Sequence, residues 1–133
     1  MQSATQIRVL IIDDDLEFRE GLRILLSAEG YSAQVMEDAV EGGKALLSNL
    51  PDLIVCDINM PFLNGFELLS LLRSDENTKA LPVIIVSGDS DIDTLSKAVH
   101  LGASDYLIKP LTRERLLDSI RSCLAKISTK PLS

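Results

Sequence analysis

The chain has 133 residues, the size of one domain, and carries thirteen Lys and Arg against twenty Asp and Glu, a net charge of −7. Apolar residues at 46 % and charged residues at 25 % describe a globular protein with a core, which excludes intrinsic disorder, collagen-like repeats and a disulfide scaffold. The acidic balance and an aromatic content of 4 % with no Trp speak against direct nucleic-acid binding, for want of cations to hold phosphates and rings to stack on bases.

The first residues, Met1-Gln2-Ser3-Ala4-Thr5-Gln6, have neither a basic start nor an apolar run, so no signal peptide is expected. Val9-Leu10-Ile11-Ile12 reads as a buried strand and runs into three acids, Asp13, Asp14 and Asp15. Phe18, Leu22, Leu25 and Leu26 then share a helical face, and Gly30 falls where a left-handed helix cap is wanted. Ser32 to Met36 is a weaker strand, and Val40, Gly43, Leu47 and Leu50 predict the apolar face of a second helix. Gly42-Gly43-Lys44 lacks the spacing of a phosphate-binding loop and follows no strand. Pro51 precedes a strand at Leu53-Ile54-Val55-Cys56 that ends in Asp57, and Leu68, Leu69 and Leu72 mark the third helix.

Pro82 precedes Val83-Ile84-Ile85-Val86, a strand closed by Ser87. Ile92, Leu95 and Val99 predict the face of a fourth helix that ends at Gly102, with His100 as its C-terminal cation. Asp105 to Ile108 is a short strand running into Lys109. Thr112 is placed to cap a last helix whose apolar positions are Leu116, Ile120, Leu124 and Ile127.

Five strands alternating with five helices predict an α/β fold, an open parallel sheet with helices on both faces. One domain is expected over 8–127, with flexible ends at 1–7 and 128–133. The longest apolar stretch, Leu81 to Val86, is far short of the ~20 residues that cross a bilayer, so no membrane insertion is expected. Cys56 and Cys123 lie inside apolar patterns and read as buried reduced thiols, in keeping with a cytoplasmic location. Charge is unevenly spread: residues 1–57 hold four basic and eleven acidic side chains, −7, whereas 58–133 hold nine of each. From Lys109 onward six basic side chains face two acidic ones, a local +4 that reads as a solvated or partner-facing surface.

In an open parallel sheet, ligands gather beyond the carboxyl ends of the strands. Those ends carry Asp13 and Asp14, then Asp57 followed by Asn59, then Ser87, then Lys109. Crowded carboxylates call for a hard divalent cation, which takes oxygen ligands. Lys109 and Ser87 then suit a phosphoryl group, and Asp57 stands where a carboxylate nucleophile would accept it.

These residues resemble the receiver domain of bacterial two-component response regulators over Arg8 to Ile127. The matching segments are Asp13-Asp14 after the first strand, Asp57-Ile58-Asn59-Met60-Pro61 through Asn64-Gly65, Ser87, and Tyr106-Leu107-Ile108-Lys109-Pro110. The resemblance implies a flavodoxin-like strand order 2-1-3-4-5 and a phosphorylation-activated switch rather than an enzyme, at most catalysing its own phosphorylation and slow dephosphorylation. It implies Asp57 as acceptor of a phosphoryl group from a phosphohistidine of a sensor histidine kinase or histidine phosphotransfer protein. It implies Mg2+ (or Mn2+) held by Asp14, Asp57 and the Asn59 carbonyl, with Asp13 helping through water, and phosphoryl contacts from Ser87 and Lys109. The Lys109–Pro110 bond is implied to be cis, Ser87 and Tyr106 to be paired switch residues, and Asn59 and Asp89 to tune phosphoaspartate lifetime. An output partner, or a second copy on phosphorylation, is implied at the surface of helix four, strand five and helix five. The chain departs from the family in Ser87 for the frequent Thr, Gly88 for Ala and Leu111 for Phe, none of which removes a reacting group.

Two other readings fit part of this pattern. Ile11-Ile12-Asp13-Asp14-Asp15 matches the strand-Asp-x-Asp signature of haloacid-dehalogenase-type phosphatases, which would make Asp13 the nucleophile. A receiver-like interaction domain that works without phosphate is the other.

Overall fold

The computed structural model describes residues 6–128. The elements are β1 (Arg8–Ile12), α1 (Leu16–Ala28), β2 (Ser32–Met36), α2 (Ala39–Ser48), β3 (Leu53–Asp57), α3 (Gly65–Ser74), β4 (Val83–Ser87), α4 (Ile92–His100), β5 (Asp105–Ile108) and α5 (Arg113–Ser128). Every strand pair is parallel, in the order β2-β1-β3-β4-β5, so both the alternation and the implied topology hold.

Because strand side chains alternate, each strand feeds two cores. Val9, Ile11, Val55, Ile84 and Val86 pack with Leu22 and Leu26 of α1 and Leu116, Leu117 and Ile120 of α5. On the opposite face Leu10, Ile12, Ile54, Cys56 and Ile85 meet Leu68, Leu69 and Leu72 of α3 and single small residues, Ala39 and Ala98, of α2 and α4. β3 and β4 are buried throughout, which is why they read as unbroken apolar runs, whereas edge strand β2 is half-exposed.

The helix ends follow their capping residues. Asp15 and Asp38 accept backbone N–H bonds in the first turns of α1 and α2, Asn64 and Glu67 form a capping box on α3, and Asp91 caps α4. The Thr112 hydroxyl accepts from Arg115 N–H at 3.1 Å, and Gly30 and Gly102 have φ of 93° and 98°, as expected.

One expected helix face is corrected and another has its orientation defined. Val40 is 45 % exposed and Leu50, also exposed, lies beyond the end of α2. The buried side of α2 carries Ala39 and Gly42 instead, because the helix approaches β1 so closely that a Cβ on Gly42 would stand 2.5 Å from Ile12 Cδ1. The Leu47 side chain lies outside the described set. On α4, Ile92, Leu95 and Val99 do share a face, but it points to solvent, with Ile92 74 % and Val99 63 % exposed, while Ala98 is the residue turned inward.

Arg73 gave no sequence signal. Its guanidinium, half-buried, donates to the carbonyls of Gly102 at 2.9 Å and Leu81 at 2.8 Å, tying α3 to the loops before β4 and β5. Both cysteines are free and buried. Among the described residues no helix is long and apolar enough to cross a membrane. Of the ends expected to be flexible, 1–5 and 129–133 lie outside the described residues. The Ile7 carbonyl accepts from Ser32 N–H at 2.8 Å.

Candidate functional site

Parallel pairing brings the carboxyl ends of β1, β3, β4 and β5 to one edge, with Asp57 beside Val86 and Ser87 beside Ile108. The ladder continues one residue past two strand ends: Asp13 N–H donates to Met36 O at 3.1 Å, and Lys109 N–H to Ser87 O at 2.8 Å. The backbones of Asp13 and Lys109 are therefore held by the sheet itself, not by mobile loops.

Carboxylate oxygens of Asp13, Asp14 and Asp57 all lie within 4.8 Å of one another. Asp13 and Asp57 are buried and Asp14 is exposed. Lys109 Nζ stands 3.0 Å from Asp13 Oδ2 and 3.8 Å from Asp57 Oδ2. Burial, reinforced by the neighbouring Asp13 charge, pushes the Asp57 carboxyl above its usual range, against the opposing pull of Lys109 and the backbone N–H groups of Asn59 and Ile58. This oxygen-only set, deficient in positive charge, fits a hard divalent cation such as Mg2+.

Both carboxylate oxygens of Asp13 are engaged. One of its oxygens accepts from Asp15 N–H at 2.9 Å and the other is bound by Lys109, and Arg19 donates to its carbonyl at 3.2 Å. Asp57 is the acid at the centre of the edge, and its loop is built around it. Gly65 N–H donates to Ile58 O at 2.9 Å, and a Cβ on Gly65 would lie 2.4 Å from the Asp57 carbonyl oxygen and 2.9 Å from Ile58 Cα. Backbone cannot yield cheaply, so Gly65→Ala is expected to cost about 2 kcal/mol in urea unfolding and to slow any chemistry at Asp57.

In the same loop Phe62 has φ of 72° while 85 % exposed. A left-handed conformation costs a side-chain-bearing residue on the order of 1 kcal/mol, and this ring recovers little by packing. Phe62→Gly is accordingly expected to raise the urea midpoint, by up to about 1 kcal/mol of stability. Asn59 is exposed two residues beyond Asp57.

Ser87 is fully buried, and its hydroxyl accepts from Asp89 N–H at 3.1 Å, leaving its own proton free to donate. Asp89 ties the following loop together. Its carbonyl accepts from the Tyr106 hydroxyl at 2.6 Å, and its carboxylate accepts from Asp91 N–H at 2.8 Å and from the Thr94 hydroxyl at 2.9 Å. The Tyr106 ring is buried in this arrangement. The Lys109–Pro110 bond is cis.

The sequence-predicted residues Asp13, Asp14, Asp57, Ser87 and Lys109 thus come together at one edge, with Asp89 and Tyr106 joined to Ser87 through the loop. Sequence reasoning missed Phe18, whose ring lies beneath Lys109 with Nζ 4.1 Å from its centroid, and the steric reason for Gly65. Phe18 read as core alone because helical spacing was its single signal.

Residues 9–121 match the family described as response regulator receiver domain. The response regulator MprA of Mycobacterium bovis is 38 % identical over 125 residues, covering 94 % of this chain and 53 % of that protein. The chain thus spans about half the length of the curated relatives it matches. Among solved structures, a response regulator receiver domain protein from Methanospirillum hungatei superposes with a TM-score of 0.88 at 26 % identity, covering 96 % of this chain and 100 % of that one. A response regulator receiver protein from Pseudomonas putida gives 0.80 at 31 % identity, covering 90 % and 99 %. Sequence, fold and the acidic strand ends agree: this chain belongs to the response regulator receiver domain family of two-component signalling.

Proposed function

We propose that Asp57 accepts a phosphoryl group from a phosphohistidine of a sensor histidine kinase or histidine phosphotransfer protein. The single observation that carries this reading is the meeting of three carboxylates within 4.8 Å beside the Lys109 ammonium. The Asp57 Oδ–P bond forms as the P–N bond breaks, and the leaving imidazole nitrogen keeps the electron pair. Asp13, Asp14, Asp57 and the Asn59 carbonyl are the groups that would hold Mg2+ (or Mn2+), which when bound neutralises the acids and the phosphoryl oxygens. Lys109 supplies a fixed positive charge beside the acceptor, and the Ser87 hydroxyl has a proton to donate to a phosphoryl oxygen.

Ser87 and Tyr106 act as the switch pair through Asp89, whose N–H and C=O bond one to each. Asn59 and Asp89 flank the path of an attacking water and set the lifetime of the phosphoaspartate. The readout surface is that of α4, β5 and α5, where Ile92, Leu95 and Val99 form an exposed apolar stripe on α4 and Ile108 is exposed at the end of β5, suited to an output partner or to a second copy of the phosphorylated chain. The domain works in the cytoplasm, extends over 8–127, and accepts one phosphoryl group instead of turning over substrate, apart from its own slow dephosphorylation.

Incubation with Mg2+ and p-nitrophenyl phosphate separates this from a phosphatase. The expected result is no sustained release of p-nitrophenol; many turnovers per chain, lost in Asp13→Asn, would contradict the proposal.

A further inference from the structure

Phe18 sits in the first turn of α1, where its N–H is 3.4 Å from the capping oxygen of Asp15. Its ring packs on the core of the α1–α5 face and lines a cavity of about 230 Å³ with Leu22, Leu111 and Leu116. Cap and packing together fix the ring directly beneath the Lys109 ammonium, 4.1 Å from Nζ to centroid. Among the described residues the ammonium meets the Asp13 carboxylate at 3.0 Å, the Asp57 carboxylate at 3.8 Å and the ring.

The ring differs from the other two in kind. Lysine carries its charge on a flexible four-carbon stem, so the ammonium needs restraint to stay at one point. A carboxylate restrains it by neutralising it and competes with any incoming phosphoryl oxygen. An aromatic face attracts the cation through its quadrupole, adds no net charge and occupies none of the directions needed by an anion on the other side.

We propose that Phe18 is a positioning residue that holds the Lys109 ammonium beside Asp57 for phosphoryl transfer. This rests on the reading of Asp57 as acceptor. With acetyl phosphate as donor, the Asp57 Oδ–P bond forms, the P–O bond to the acetyl group breaks, and acetate leaves with the electron pair. The phosphoryl oxygens carry their charge to the ammonium throughout. Leucine would keep the apolar packing and lose the face; tyrosine keeps the face.

The test compares parent, Phe18→Leu and Phe18→Tyr by the initial rate of phosphorylation with acetyl phosphate and saturating Mg2+, and by the NMR shifts of the Lys109 ε-methylene protons. The parent is expected to show those protons displaced upfield by the ring current. Phe18→Leu loses the displacement and slows by about three- to tenfold, and Phe18→Tyr restores both. A Phe18→Leu rate equal to that of the parent overturns the proposal. So does a slowed rate that Phe18→Tyr fails to restore, which marks a merely structural role. Should Phe18→Leu not fold, Phe18→Met takes its place. The absence of the upfield displacement in the parent overturns the proposal whatever the rates. Failure of the acceptor reading shows separately, as phosphoryl gain by an Asp57→Ala variant, and leaves the ring-current result standing.

Discussion

Replacing Asp57 with Asn is expected to stabilise the metal-free protein at neutral pH, by on the order of 1 kcal/mol, and to cut its thermal response to Mg2+ to a small fraction of the parent's. Asp57 is buried beside Asp13, and its carboxyl titrates above the usual range because burial and that like charge disfavour ionisation. A carboxyl with a folded-state pKa above its unfolded value contributes stability at pH below the unfolded value, and loses it as pH rises through the folded one. At neutral pH the ionised group is therefore a liability that an isosteric amide removes. The difference between parent and variant should shrink as the pH falls below the normal carboxylate range and grow above it. Adding Mg2+ reverses the order. A cation in hundredfold excess over its dissociation constant stabilises the parent by about 2.7 kcal/mol, and Asp57→Asn, lacking one of three carboxylates, should gain far less. Thermal melts across pH, with EDTA or with Mg2+, check both signs. A metal-free variant less stable than the parent at pH 7 would contradict this account of the site.

Lys109→Ala is expected to move two quantities in opposite directions. Phosphorylation of Asp57 by acetyl phosphate should fall by roughly a hundredfold, the usual cost of removing one preorganised charge from a phosphoryl-transfer site. Mg2+ affinity should rise several-fold, because among the described residues Lys109 is the cation in contact with both Asp13 and Asp57, and its removal leaves the acids more negative. Rapid-mixing phosphorylation kinetics and metal titration monitored by calorimetry measure the pair. A general loss of structure would weaken both, so the divergence identifies the electrostatic role.

The architecture was legible because its strongest signals are local. Val9 to Ile12, Leu53 to Cys56 and Val83 to Val86 are buried on both faces and so appear as unbroken apolar runs, and the residue after each run is by construction at the carboxyl edge of the sheet. Naming Asp13, Asp57, Ser87 and Lys109 as neighbours required only counting to the ends of strands. Helix faces were harder. On α2 the apolar residues Val40 and Leu50 suggested a core face, but close packing on β1 selects the smallest residues, Ala39 and Gly42, which carry little hydropathy. On α4 the apolar positions share a face as their spacing predicts, but hydropathy alone does not distinguish a stripe that meets the core from one left for a partner.

What escaped the sequence depends on contacts between distant segments. Arg73 reads as a surface cation until the carbonyls of Leu81 and Gly102 are seen to converge on it. Gly65 is required by the backbone of Asp57, and Phe18 by a lysine far along the chain. No spacing encodes either. The positive φ of Phe62 is likewise unreadable, because the residue type argues for the opposite.

The most direct measurement is the intact mass of the protein after incubation with Mg2+ and acetyl phosphate, beside an Asp57→Ala control. The parent is expected to gain one phosphoryl group and the control none. Gain in both would assign the chemistry to another residue, and gain in neither would leave a receiver fold that works without phosphate.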